Sequence, residues 1–146
     1  MKYTVDVVIN KPVDEVLKDF DDPDNLTEWL EGLESFEHLE GIKGEVGAKA
    51  KFVFDMGKRR VEMIETITAK ELPHKFDGTY EADGVFNRVW NRFETDGNDQ
   101  TRWTQTCEFE FTNLMMKIMG FFMPFAFKKQ TRTQMEAFKK FSEGQG

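Results

Sequence analysis

A chain of 146 residues is long enough to form one domain with a substantial core, and its net charge of −7 argues against a nucleic-acid partner. Its one cysteine, Cys107, excludes an internal disulfide bond and favours a reducing, cytoplasmic compartment. Phe and Met are frequent, with 15 and 8 residues, and both are common at permissive apolar binding surfaces.

The first part of the chain predicts a strand followed by two short helices. Segment 2–10 alternates polar residues with an apolar set that should form one buried face: Tyr3, Val5, Val7 and Ile9. Segment 12–20 has apolar residues at helical spacing, and segment 24–31 has a shorter stripe of the same kind. Neither a signal peptide nor a membrane span is expected here, because no long apolar run occurs.

From residue 35 the apolar residues recur with a period of two, which predicts strands. Turn signals, such as Asp83-Gly84 and the glycine-rich stretch 41–47, divide this part of the chain. The six predicted strands are 35–40, 48–56, 59–70, 74–82, 85–95 and 101–112. Because short turns connect them, they should form an antiparallel sheet with one face that needs cover.

The C-terminal part predicts a long helix in two sections. Asn113 is a suitable N-cap, and Gly120 and Pro124 should kink or break the helix. Beyond the break, an amphipathic stripe consists of Phe127, Thr131, Gln134, Phe138 and Phe141. The predicted fold class is therefore α+β, with a single domain over residues 1–146. In it, a curved antiparallel sheet of about six to seven strands grips the long helix, and two short helices follow the first strand.

Several short motifs occur in a characteristic order along the chain. They are Lys11-Pro12-Val13-Asp14-Glu15-Val16, Asp22-Pro23 with Leu26 and Trp29, the triplet Gly41, Gly44 and Gly47, Gly84-Val85, and Phe138-Lys139-Lys140-Phe141-Ser142-Glu143. With the order of elements, they resemble the START-like or helix-grip superfamily, in particular its polyketide cyclase/dehydrase-like branch. The resemblance covers essentially the whole chain and implies a hydrophobic cavity between sheet and helix. It implies no single activity, because this fold hosts binders, transporters and enzymes.

Face assignment along the strands predicts an apolar chamber with a few neutral polar groups. In segment 85–95 the charged side chains should face water, which places Asn87 and Asn91 inside, and Gln105 shares the inner face of the next strand. An unpartnered buried amide costs about 1–3 kcal/mol, so these amides either orient a ligand or satisfy other buried groups. The predicted ligand-binding residues are Phe52, Phe54, Met63, Tyr80, Asn87, Asn91, Trp103, Gln105, Phe109, Phe127, Thr131, Gln134 and Phe138.

Glu65 raises a separate question, because it shares the parity of the apolar residues in segment 59–70. A regular strand would point its carboxyl group inward, where Glu65 and Tyr80 are candidate catalytic residues. A β-bulge near Glu65 would turn it to solvent, and that is the preferred interpretation. The isolated His38 and His74 lack zinc-site spacing, so neither a metal nor a cofactor is expected. Cys107 is interpreted as inert packing within a strand.

Three functions follow as hypotheses. The preferred one is a noncatalytic carrier or sensor of an apolar or aromatic small molecule or a lipid. The second is an enzyme of the polyketide cyclase or dehydratase type, in which Glu65 or Tyr80 moves a proton and the two asparagines hold an enolate oxygen. The third is a chaperone-interaction module, which requires a collapsed cavity and an exposed apolar patch such as Phe121, Phe122 and Phe125.

The apolar segment 114–125 is interpreted as a lid over the cavity or as the contact surface of a homodimer. Its largely apolar run, residues 114–123, has Lys117 as its only charge and is shorter than the roughly 20 residues that span a bilayer, so stable membrane insertion is not expected.

Overall fold

The computed structural model describes residues 1–145 and contains one seven-stranded antiparallel sheet with helices on its concave side. The strands are β1 (Lys2–Ile9), β2 (Leu33–Glu40), β3 (Lys49–Asp55), β4 (Arg60–Glu71), β5 (Lys75–Ala82), β6 (Val85–Thr95) and β7 (Thr101–Phe111). The helices are α1 (Val13–Phe20), α2 (Leu26–Trp29), α3 (Leu114–Phe122) and α4 (Pro124–Glu143), with a 3₁₀ turn at Pro23–Asn25. The predicted fold class is confirmed.

The strand order is β1-β7-β6-β5-β4-β3-β2, so β1 and β2 form opposite edges of the sheet. Hairpins connect β2 through β7 in sequence, which is why all of these neighbours are antiparallel. The connection from β1 to β2 must instead pass from one edge to the other. Helices α1 and α2 make this connection, and their apolar sides join the same core as the sheet and α4.

Phe138 lies at the centre of an aromatic cluster that forms this core. Its fully buried ring contacts Phe20, Trp29 and Trp103, with ring centroids 5.6, 5.1 and 5.3 Å away. The prediction that Phe138 lines the cavity is therefore wrong. The buried face of α4 consists of Thr131, Met135, Phe138 and Ser142, and in its C-terminal half α1 and α2 fill the space in front of that face.

The strand β4 is regular where Glu65 lies. Glu65 pairs with Ala50 of β3 and Tyr80 of β5 in an uninterrupted register, and the irregularity of this strand falls later, between Ile67 and Ala69. The preferred interpretation of a bulge that turns Glu65 to solvent is wrong. Its carboxyl group points into the concave side of the sheet, as the regular alternative predicted.

The C-terminal helix breaks at Met123, as Gly120 and Pro124 predicted. The side chain of Asn113 accepts a hydrogen bond from the backbone N–H of Met116 at 2.9 Å and caps α3. The α3 N-terminus packs on the Asp83-Gly84 turn, where Gly84 has a φ of +81° and a Cβ atom would overlap Asn113 and Met116. No helix in residues 1–145 is both long and apolar enough to cross a membrane.

Candidate functional site

A large cavity lies between the concave face of the sheet and α4, and it opens to solvent. Its volume is about 1590 Å³, above the roughly 300–1,000 Å³ of most small-molecule sites. Every predicted ligand-binding residue except Phe138 lies in its wall: Phe52, Phe54, Met63, Tyr80, Asn87, Asn91, Trp103, Gln105, Phe109, Phe127, Thr131 and Gln134. Their role in binding a ligand stays a prediction.

Aromatic contacts build most of the apolar wall. Phe127 of α4 contacts both Phe109 and Phe111 of β7, with centroids 5.1 and 5.5 Å apart, so it joins the start of α4 to the sheet. On the other side of the cavity, Phe52 contacts Tyr80 edge-on at 6.2 Å. These rings leave a broad apolar surface that only a ligand or solvent can cover.

Glu65 and Tyr80 form a hydrogen-bonded pair inside the cavity. The Tyr80 hydroxyl donates to Oε2 of Glu65 at 2.7 Å. Burial raises the pKa of Glu65 above its ordinary value, and the Tyr80 hydrogen bond opposes this only in part. Burial, together with the charge of Glu65, raises the pKa of Tyr80 well above its ordinary value. The pair therefore places a carboxyl group in an apolar chamber, where it can accept a proton when ionised and donate one when protonated.

The inward-facing amide side chains differ in whether they have hydrogen-bond partners. Asn91 Oδ1 accepts hydrogen bonds from Trp103 Nε1 and Gln105 Nε2, both at 2.9 Å, so these side chains satisfy one another. Asn87 Oδ1 is buried without a partner, and among residues 1–145 the only other such side-chain atom is Trp29 Nε1. Unsatisfied buried polar atoms are rare, and both of these belong to residues of the cavity wall.

Tyr3 and Trp29 belong to the wall but are absent from the predicted set. The Tyr3 hydroxyl lies 2.7 Å from Thr131 Oγ1 and donates to the Phe127 carbonyl at 3.0 Å, so it fixes the first half of α4 on β1. Its inward parity with Val5 was the available signal. Trp29 was recognised as apolar, but sequence could not place the four-residue helix α2 at the end of the cavity.

Cys107 of β7 is part of the cavity wall, and it is buried. Burial raises its pKa to about 11, so the thiol is protonated at neutral pH and is a poor nucleophile. This agrees with its interpretation as packing. Within residues 1–145, no three His, Cys, Asp or Glu side chains come together in an arrangement that could hold a metal ion.

The outer surface of α3 is strongly apolar, although Met116 on its inner side reaches the cavity wall. The exposed apolar residues around the break are Leu114, Met115, Ile118, Phe121, Phe122, Met123 and Phe125. Phe121 is 78% exposed, which is unusual for a side chain of this size. The homodimer contact through residues 114–125 stays a prediction, because it concerns a second copy of the chain.

Known structures share this architecture across nearly the whole chain. The Zhui aromatase/cyclase from Streptomyces sp. R1128 matches with a TM-score of 0.78 and 13% identity, over 98% of this chain and 93% of that one. Norcoclaurine synthase from Thalictrum flavum, in complex with dopamine and hydroxybenzaldehyde, matches with a TM-score of 0.76 and 16% identity, over 100% and 88%. Ara h 8.0201 matches with a TM-score of 0.75 and 11% identity, over 97% of each chain.

These identities are low, so the structural matches establish the fold alone. No curated protein matches the sequence. The family model described as polyketide cyclase/dehydrase and lipid transport matches residues 1–143, which confirms the resemblance to the START-like superfamily. The chain belongs to the polyketide cyclase/dehydrase and lipid transport family.

Proposed function

We propose that this protein binds and carries an apolar or aromatic small molecule or a lipid in the cavity between the sheet and α4. The observation that carries this proposal is an open cavity of about 1590 Å³ with a largely apolar wall that includes several aromatic rings. Protein interiors are normally packed as densely as organic crystals, so a void of this size is costly unless it is filled. A cytoplasmic location is part of the proposal and is supported by the unpaired thiol of Cys107.

The family and the structural relatives support a ligand of this class. The family description includes lipid transport, and one relative of the same fold was solved with the aromatic molecules dopamine and hydroxybenzaldehyde. The wall exposes more apolar than polar surface, and neutral polar groups such as Gln105 and Gln134 interrupt it, which is typical of sites that hold an apolar body and orient it at a few points.

Two measurements test this proposal. Native mass spectrometry of the purified protein is expected to show a co-purifying apolar molecule that organic solvent extracts. Titration with 1-anilinonaphthalene-8-sulfonate, followed by displacement with fatty acids or polyaromatic compounds, then gives the affinity of the cavity. A protein that is repeatedly empty and binds none of these compounds would contradict the proposal.

A matched pair of variants on β4 locates the binding. Met63→Trp adds a large side chain inside the cavity, whereas Ile64→Trp adds the same side chain on the opposite face of the same strand. The first is expected to weaken ligand binding and the second to leave it unchanged. Equal effects of the two variants would show that ligands bind elsewhere on the surface.

The second candidate function is an enzyme of the cyclase or dehydratase type. It is favoured by one observation, the hydrogen-bonded Glu65 and Tyr80 inside the cavity, where a carboxyl group could transfer a proton to an apolar substrate. Its test is incubation with a linear poly-β-ketone thioester, with mass spectrometry used to detect loss of water. Product formation that Glu65→Gln abolishes would support it. The absence of product above the buffer control would count against it.

The chaperone-interaction alternative fits less well. Its exposed aromatic patch is present at Phe121, Phe122 and Phe125, but it also requires a collapsed cavity, and the cavity is open.

A further inference from the structure

One row of side chains crosses the concave face of the sheet from β3 to β7. Its members are consecutive cross-strand partners: Ala50, Glu65, Tyr80, Asn87 and Phe109. Directly paired residues in a sheet point to the same face, so all five face the cavity. The two ends of the row are apolar and its centre is polar.

The polar centre of this row offers hydrogen-bond acceptors. The Tyr80 hydroxyl already donates its only hydrogen to Glu65. An ionised Glu65 has no hydrogen to donate and has room for further donors, because a carboxylate accepts about four hydrogen bonds. Asn87 Oδ1 is buried and has no donor at all. A ligand that complements this row must therefore bring hydrogens.

The charge of Glu65 is also uncompensated. Among residues 1–145 it takes part in no ion pair. Its cross-strand neighbours are Ala50 and Tyr80, which carry no positive charge. Basic side chains also line the cavity, and none of them pairs with Glu65: Lys43, Lys49, Arg59, Arg60 and Lys70. A buried carboxylate is expensive without a counter-charge, and burial accordingly raises the pKa of this group.

Aromatic rings lie beside Tyr80, the hydrogen-bond partner of Glu65. Phe52 contacts Tyr80 at 6.2 Å between centroids, and Phe36 contacts Phe52 at 5.0 Å. The face of an aromatic ring attracts a cation, more strongly where water is excluded. A cationic nitrogen would thus find a carboxylate and ring faces together, whereas an uncharged hydroxyl would leave the carboxylate unbalanced.

We propose that this row recognises a protonated amine on an otherwise apolar ligand, with the nitrogen paired to Glu65 and the body against the aromatic wall. The ligand class is an alkyl or arylalkyl amine. This inference rests on the proposed function, because it presupposes that the cavity binds an apolar body.

Three compounds with the same aromatic body test the proposal by calorimetric titration at pH 7: 2-(2-naphthyl)ethylamine, 2-(2-naphthyl)ethanol and 2-ethylnaphthalene. The amine is expected to bind roughly tenfold or more tightly than the alcohol, as a charge-assisted hydrogen bond in a water-poor site would give. Glu65→Gln is expected to remove this preference. The matched control Glu81→Gln, exposed on the neighbouring strand β5 and on the face opposite to Tyr80, is expected to keep it.

The possible outcomes distinguish failure of the amine site from failure of the proposed ligand binding. If all three compounds bind equally well, or the alcohol binds best, the amine site is refuted and carriage of an apolar ligand stands. If none of them binds, the proposed function fails for this ligand class and the amine site fails with it. Retention of the amine preference in Glu65→Gln also refutes the site. The ratio measured on the unmodified protein decides the question even if that variant does not fold.

Discussion

Replacing Glu65 by Gln is expected to stabilise the ligand-free protein at neutral pH, by an amount that grows as the pH rises. Burial raises the pKa of Glu65 above the ordinary value of 4.5. At a pH between 4.5, the ordinary pKa of the unfolded chain, and the higher pKa of the folded chain, Glu65 is protonated in the folded chain and ionised in the unfolded chain. Stability contributed by the protonated group is therefore complete below pH 4.5 and is lost as the pH rises through the folded-state pKa. Gln does not titrate and does not lose it.

The magnitude follows from proton linkage. One group that is protonated in the folded state and ionised in the unfolded state lowers the free energy of unfolding by at most about 1.4 kcal/mol per pH unit. The difference between the variant and the unmodified protein should thus rise with a slope up to this limit above pH 4.5. It should level off above the folded-state pKa.

Urea denaturation at pH 4, 5, 6, 7 and 8 measures this difference. Glu81→Gln is the matched control, because it removes an exposed carboxyl group from the neighbouring strand β5. The control is expected to show no comparable slope. A stability difference between Glu65→Gln and the unmodified protein that stays constant over the whole pH range would refute the reasoning.

Two further changes test the packing, and a third tests the dimer contact. Phe138→Ala is expected to lower the free energy of unfolding by about 3–5 kcal/mol, because it leaves a void in the aromatic cluster; a smaller loss in urea denaturation would contradict its core position. Tyr3→Phe removes the hydrogen bond to Thr131 and should cost about 1 kcal/mol in the same assay, whereas no loss would show that this bond does not hold α4. If segment 114–125 joins two copies, Phe121→Ser with Phe122→Ser should convert dimer to monomer in sedimentation velocity. A monomer in both proteins would refute that contact.

The architecture could be predicted from the sequence because its signals are local. Alternation of apolar residues, the Asp83-Gly84 turn, the Asn113 cap and the Pro124 break each involve only a few neighbouring residues. The bulge in β4 was not predictable in the same way. It lies between Ile67 and Ala69, two to four positions beyond Glu65, and parity alone does not indicate where an extra residue is inserted.

The sequence predicts many of the residues that form the wall of the candidate site, but it does not predict which of them form hydrogen bonds with one another. Inward parity found most of the wall, but Asn91 is satisfied by Trp103, a residue of the next strand whose ring position depends on the folded core. Phe138 shows that the surroundings of a helix residue are equally hard to predict. Its place on the apolar stripe of α4 is correct, but α1 and α2 decide whether that part of the stripe faces a cavity or a core.

The break at Met123 has a kinetic consequence. The helix α3, Leu114–Phe122, contributes no buried side chain, whereas α4 is anchored by four. Opening of α3 therefore exposes little additional apolar surface and should need far less free energy than global unfolding. Amide hydrogens of α3 are expected to exchange with solvent well before those of α4 and β7. Because Met116 lies in the cavity wall, a ligand bound as proposed could enter and leave through this local opening while the rest of the molecule stays folded.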